Sequence, residues 1–256
     1  MNHKLEAFDR LLTIMDELRE KCPWDRKQTL ASLRHLTIEE TYELGDAILD
    51  ENMEELKGEI GDLMLHMVFY SKIASEKGAF DIADVLNGIC DKLVHRHPHI
   101  YGDVEANDEE TVKANWEKLK LKEGKKSVLQ GVPKSLPALV KATRIQDKVK
   151  GVGFEWDNKN QVWDKVNEEI NEFRSEEEKG DQTAMEEEFG DVLFALINYA
   201  RWNNINPEDA LAKTNRKFIN RFQWMEKAAE KEGKNLTELN LEEMDVYWEK
   251  AKSTFK

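Results

Sequence analysis

Two stretches of this chain, 129 residues apart, carry one arrangement of five acids. The first holds Glu39, Glu40, Glu43, Glu59 and Asp62; the second holds Glu168, Glu169, Glu172, Glu188 and Asp191. On a helix, residues three apart share a face, so Glu40 with Glu43 and Glu59 with Asp62 each project one way, as do their counterparts. If the two helices of a half lie side by side, four carboxylates converge. At an effective dielectric of ~20, each carboxylate pair within ~5 Å costs on the order of 3 kcal/mol. Such a cluster persists only with protons or cations. Oxygen-only ligands favour hard ions, hence Mg²⁺, with Mn²⁺ tolerated. Two such ions would offset four carboxylates and keep positions for water and phosphate oxygens, a setting that polarises a phosphoryl group and generates a hydroxide nucleophile.

The competing reading is that these acids are solvated helix faces, in a chain whose residues are 35% charged. The apolar residues repeat in step, which weighs against it. Leu63, Met64, Leu65, Met67 and Val68 fall on Val192, Leu193, Phe194, Leu196 and Ile197, and Tyr70 falls on Tyr199. Acids and core residues moving together argue for duplication of one helical unit. Gly61 and Gly190, each just before the aspartate, suggest close backbone approach beside the site. A carboxylate-bridged di-iron bundle would need Glu-x-x-His on two helices. Neither half has it: His66 follows Asp62 by four residues, but its counterpart is Ala195.

The elements that must position these acids are helices. Leu5, Phe8, Leu12, Met15 and Leu18 outline a first helix that should stop before Pro23. Helices are predicted at about 28–50, 54–77, 81–96 and 109–123, then near 138–150, 159–179, 182–203, 207–232 and 241–253. A turn near Asp50–Asn52 and another near Gly180 make the acid-bearing helices antiparallel neighbours. Gly124 to Pro137 holds two glycines, two prolines and three lysines and reads as a linker. No strand pattern stands out. The fold class is all-α: an N-terminal helical domain over 1–123, a linker over 124–137 and a related C-terminal domain over 138–256.

Basic helices follow each acid pair. Asp84, Leu86, Lys92 and Arg96 match Asp209, Leu211, Lys217 and Arg221 at an offset of 125. Lysine and arginine four apart share a face and suit phosphate oxygens not taken by metal, although an ordinary basic helix face would look the same. Each half closes on a similar segment, Asn115-Trp-Glu-Lys-Leu-Lys120 and Tyr247-Trp-Glu-Lys-Ala-Lys252. Trp116 and Trp248 could stack on a base of any kind, or simply pack into core. His95, His97 and His99, around Pro98, fit capping or packing better than a metal. Trp24-Asp25 and Trp156-Asp157 follow loop openings and should anchor those loops.

Composition bounds the partners. The net charge of −14 disfavours a general binder of nucleic acid or anionic membrane, but not an anionic substrate, since bound metal inverts the local field. Cys22 and Cys90 are too few and too scattered for a disulfide framework. No signal-peptide core or spanning apolar run is visible, so the expectation is a cytoplasmic protein.

At this point the chain resembles the MazG family of nucleoside triphosphate pyrophosphohydrolases over nearly its full length. The resemblance is carried by Cys-Pro-Trp-Asp at 22–25, Glu-Glu-Thr-Tyr-Glu at 39–43, Gly-Glu-Ile-Gly-Asp at 58–62, Arg-His-Pro-His-Ile-Tyr-Gly-Asp at 96–103, Gly-Val-Gly-Phe-Glu-Trp at 151–156, Glu-Glu-Ile-Asn-Glu at 168–172, Glu-Glu-Phe-Gly-Asp at 187–191 and Thr-Asn-Arg-Lys-Phe-Ile-Asn-Arg-Phe at 214–222. It implies a dimer of two-domain helical chains that cleaves nucleoside triphosphates, ribo- and deoxy-, to monophosphate and pyrophosphate with little base preference, in nucleotide-pool cleaning or starvation responses. It implies Mg²⁺ on Glu169, Glu172, Glu188 and Asp191, and nucleotide contacts from Lys165, Glu168, Lys217, Arg221 and Trp248. Glu168 and Glu187 are the candidates to orient the attacking water; with Glu172 they are the expected catalytic acids. The N-terminal half keeps Glu40, Glu43, Glu59 and Asp62 as a second metal set. There Cys90 replaces Asn215 and the chain runs into His-Pro-His after Arg96, so its site is expected to be weak or structural. A nucleotide-sensing module without turnover and a narrow dUTPase- or dCTPase-type enzyme are the alternatives.

Overall fold

The computed structural model describes residues 2–102, 108, 111–112 and 127–255. The chain divides into two compact units, Met1–Ala106 and Asn107–Lys256. Apart from Thr111 and Val112, which are helical, the predicted helix 109–123, with Trp116, lies outside the described residues, as does the expected break after residue 123. Among those described, regular structure is helical throughout.

The N-terminal unit is built from α1 (His3–Lys21), α2 (Leu30–Leu49), α3 (Met53–Glu76), α4 (Ile82–Arg96) and the single turn α5 (Pro98–Tyr101). Helix α1 ends at Lys21, ahead of Pro23, whose ring cannot continue a helix. Thr29 starts α2 with a reciprocal capping box to Ser32. The α2–α3 turn passes through Glu51, held at φ 54°, and Asn52 then caps α3 by accepting from the amides of Glu54 and Glu55. Met15, Leu33, Val68, Phe69 and Ile73 form the core. Arg19 staples the loop after α1: its guanidinium donates to the carbonyls of Asp25 and Gln28 and to both oxygens of Glu76.

The second unit contains α6 (Ala138–Lys150), α7 (Lys159–Lys179), α8 (Gln182–Trp202), α9 (Pro207–Lys231) and α10 (Leu241–Thr254). Helices α7 and α8 repeat the α2–α3 hairpin. Gly180 takes the left-handed turn at φ 71°, where the first unit has Glu51, and Asp181 caps α8 as Asn52 caps α3. Val162, Val166, Val192, Ala195 and Ile197 are buried on this pair. The ring of Trp163 lies 4.7 Å from that of Tyr199. A separate cluster of Met225, Ala229, Tyr247 and Ala251 joins α9 to α10. Buried Lys148 donates to the carbonyl of Val128 and ties the segment before α6 to that helix.

Helix bounds agree with the sequence reading to within about two residues wherever they are described. One reading is corrected. A Cβ built at Gly61 or Gly190 meets nothing within 4 Å. These glycines sit on open helix surface, and among the described residues no backbone from another element approaches them.

Candidate metal centre and adjoining cavity

In each unit the hairpin brings together three of the four expected metal acids. Carboxylate oxygens of Glu40, Glu43 and Glu59 lie within 4.8 Å of one another, as do those of Glu169, Glu172 and Glu188. The first two of each set are one helical turn apart; the third comes across the hairpin. Octahedral Mg²⁺ at ~2.1 Å needs ligand oxygens roughly 3–4 Å apart, so small side-chain adjustments suffice. Asp62 and Asp191 stand one step aside from the triplets. Asp62 is still near enough to act on the charge of Glu40, and Asp191 lines a cavity together with Glu169.

The two clusters balance their charge differently. In the second unit the Lys165 ammonium lies 2.7 Å from Glu168 and 2.8 Å from Glu169, which is itself buried. These bonds, Glu168 first, hold the lysine above its ordinary pKa. Glu172 hydrogen-bonds Glu169, and that contact, ahead of burial, pushes its carboxyl above the usual range. In the first unit the position of Lys165 is Leu36, a core-packing residue. Glu40 is pushed up mainly by burial, then by the charges of Asp62, Glu43 and Glu59. Glu59 keeps one buried oxygen, Oε2, without a hydrogen-bond partner. A buried acceptor left unpaired beside two more acids is what an oxygen-coordinated cation would satisfy. The donor set of each cluster therefore fits a hard divalent ion.

The other expected residues fall in different places. Glu168 is exposed and paired with Lys165; Glu187 is exposed on α8. Lys217 is exposed on α9. Arg221 donates from Nε and Nη2 to the Phe255 carbonyl at 3.0 and 2.6 Å, and its guanidinium lies 5.9 Å from the centre of the Trp248 ring. Trp248 is also 5.1 Å from Phe218. Of the residues expected to grip a triphosphate from α9 and α10, Arg221 and Trp248 thus lie together.

A cavity of about 500 Å³ opens beside the second acid cluster, with Lys165, Glu169 and Asp191 in its wall. The rest of its lining comes from residues the sequence reading passed over, including Gln146, Phe154, Glu155, Asn198 and Arg201. The signal for Phe154 and Glu155 was the Gly-Val-Gly-Phe-Glu-Trp run at 151–156. Gly153, at φ 87°, turns the chain back after α6, and the Phe154 amide bonds the Val149 carbonyl. Glu155 then points inward to Arg201, at 2.5 Å, and to Trp202 Nε1, at 2.9 Å.

Comparison with known proteins agrees with this architecture. The MazG nucleotide pyrophosphohydrolase domain is matched twice, over residues 28–101 and 158–225, each match spanning one acid hairpin. The chain is 43% identical to a nucleoside triphosphate pyrophosphohydrolase of Escherichia coli K12, over 97% of this chain and 98% of that protein. It is 45% identical to the nucleoside triphosphate pyrophosphohydrolase/pyrophosphatase MazG of Thermotoga maritima, over 96% of this chain and 95% of that one. With both hairpins matched and both relatives covered nearly end to end, the chain belongs to the MazG nucleotide pyrophosphohydrolase family.

Proposed function

We propose that the protein hydrolyses nucleoside triphosphates, ribo- and deoxy- with little regard to base, to the monophosphate and pyrophosphate, and that the C-terminal unit does the work. The observation that carries this reading is the Glu169–Glu172–Glu188 triplet with Lys165 against its buried member. Glu169, Glu172, Glu188 and Asp191 would hold Mg²⁺, or Mn²⁺ in its place, and Glu40, Glu43, Glu59 and Asp62 a second set of ions. When bound, the metal supplies charge on the phosphate oxygens and a water acidic enough to attack. Glu168 or Glu187 accepts a proton from that water as its oxygen bonds to the α-phosphorus and the bond to the bridging oxygen breaks. With a divalent ion on Glu169, Lys165 would no longer be needed as its counter-charge and would be free to meet the triphosphate. Lys217 and Arg221 offset charge on the departing pyrophosphate, Arg221 exchanging the Phe255 carbonyl for phosphate oxygens.

The described residues also carry apolar side chains that stay exposed along two helices. On α4, Val85, Leu86, Ile89 and Leu93 are all exposed and the helix has no buried residue. On α9, Leu211, Phe218, Ile219 and Phe222 are exposed likewise. Amphipathic helices bury such stripes, so we assign these faces to a homodimer. A cytoplasmic role in cleansing the nucleotide pool or in starvation fits the substrate range; no helix among the described residues is long and apolar enough to cross a membrane.

The test is a panel of the eight common nucleoside triphosphates with Mg²⁺, scored for pyrophosphate with wild type, Glu43→Gln and Glu172→Gln. Pyrophosphate from all eight, abolished by Glu172→Gln and kept by Glu43→Gln, supports the proposal. Release of orthophosphate and diphosphate, or turnover that survives EDTA, overturns it.

A further inference from the structure

Helix α10 is fastened to α9 by two polar bonds, and Trp248 lies between them in the chain. A helix of 14 residues is marginal by itself in water, so its place depends on what it packs against. Just past its end, the Phe255 carbonyl accepts from Arg221 Nε and Nη2 at 3.0 and 2.6 Å. At its middle, the Tyr247 hydroxyl reaches Glu232, the C-cap of α9, at 2.6 Å.

The tyrosine bond is supported from several sides. Tyr247 is 4% exposed, its ring packed with Met225, Ala229 and Ala251. An ionised carboxylate only accepts, so the phenol donates, and without Glu232 that donor would lose its partner. Lys234 brings its ammonium to the same Glu232 oxygen at 3.3 Å and stands 5.9 Å from the centre of the tyrosine ring; Lys250 stands 5.4 Å from it. Tyr247 first, then Lys234, hold the Glu232 carboxyl below the usual range, so the acceptor stays ionised at neutral pH. In the matching segment of the first half Asn115 stands where Tyr247 does, so that half has no phenol at this place.

The arginine bond cannot last through the proposed reaction. Arg221 gives Phe255 the edge of its fork, the same donors that suit phosphate oxygens. When it turns to phosphate, α10 loses the tie at its end, about two turns beyond Trp248. Trp248 stands 5.9 Å from the Arg221 guanidinium and 5.1 Å from the Phe218 ring, and an α10 free to shift would carry it away from both. From this geometry we propose that Tyr247 and Glu232 are positioning residues, whose bond keeps α10 in register on α9 while Arg221 exchanges partners and so holds Trp248 beside the phosphate-binding arginine. This rests on the nucleoside triphosphate reading, with Arg221 and Trp248 as contacts of the substrate. Neither Tyr247 nor Glu232 touches the nucleotide in this scheme. Loss of their bond weakens the hold on substrate and transition state alike, which raises KM and spares kcat.

The experiment measures kcat and KM for pyrophosphate release from ATP with Mg²⁺, and the Kd of adenosine 5′-(α,β-methylene)triphosphate. The proteins are wild type, Tyr247→Phe, Glu232→Ala and Glu232→Gln. Tyr247→Phe keeps the packed ring and removes only the donor, while glutamine still offers the phenol an acceptor. The expected result for Tyr247→Phe and Glu232→Ala is a rise of roughly three- to tenfold in KM and Kd, the size of one hydrogen bond. Their kcat should stay within about twofold of wild type, and Glu232→Gln should match wild type in all three constants. A purely structural role would act through the folded fraction, lowering kcat at unchanged KM. That outcome overturns the proposal, as do unchanged KM and Kd in Tyr247→Phe, or Glu232→Gln as impaired as Glu232→Ala. Wild type that binds the analogue but releases no pyrophosphate sinks the hydrolase reading instead, and the Kd values of the variants still decide the role of the tyrosine bond.

Discussion

The ammonium of Lys165 sits 2.8 Å from a carboxylate oxygen of Glu169, the buried acid of the C-terminal triplet. One turn of helix thus supplies both a metal-ligand candidate and the cation that neutralises it without metal. The pair is only partly shielded, the lysine side chain being 33% exposed.

Lys165→Met leaves Glu169 buried with less positive charge nearby. The metal-free protein should lose about 1–2 kcal/mol, less than for a fully buried pair because water screens the lysine. Saturating Mg²⁺ should recover most of it. Thermal melts in EDTA and in Mg²⁺, for variant and wild type, measure both effects.

Proton balance gives the pH dependence. Glu172, through its bond to Glu169, and Glu40, through burial, both hold their protons above the ordinary carboxyl pKa of 4.5. Raised carboxyl pKa values mean that the folded protein holds extra protons just above that value. Their contribution is full at lower pH and lost as pH rises through the folded values. A divalent ion replaces those protons, so the difference in Tm between Mg²⁺ and EDTA should widen as pH rises from about 4.5 to neutrality. A difference independent of pH would count against metal at these acids.

The hairpin turns differ in strain. Gly180→Ala places a Cβ at φ 71° with no atom within 4 Å to obstruct it, so its cost is backbone strain alone, about 1 kcal/mol. Glu51 already occupies the equivalent left-handed position, and Glu51→Gly should stabilise the first unit by about 0.5–1 kcal/mol. Chemical denaturation of each variant against wild type gives both signs.

Arg19 is half of a pair that responds to acid in the opposite sense. Its hydrogen bonds hold the Glu76 carboxyl below the usual range. That stability is present above the unfolded pKa and disappears as pH falls through the folded one. Arg19→Met strips partners from Glu76 and from the Asp25 and Gln28 carbonyls, and should cost about 2–3 kcal/mol at neutral pH, shrinking toward pH 3. Urea melts at the two pH values test it.

Much of this architecture was legible from the residues. The 129-residue repeat fixed which helices pair, and Gly, Pro, Asn and Asp marked where they end. The acid triplets follow directly from three-residue spacing and a short turn. The aspartates that stand aside, and Arg221 bonded to Phe255, were hidden because spacing gives a face, never a rotamer. The cavity was hidden for another reason. Gln146, Phe154 and Asn198 come from three elements, and no local periodicity links them. Gly61 and Gly190 misled for want of a neighbour: a helical glycine marks close approach only where something approaches.

Where the C-terminal hairpin has Lys165, its N-terminal twin has Leu36. At that position the twin has an apolar side chain in place of the counterweight, so a chelator should loosen that half first, well before the other softens. One ion would then serve as mortar at one end of the chain and as a working tool at the other, and the two could be lost at separate concentrations of EDTA.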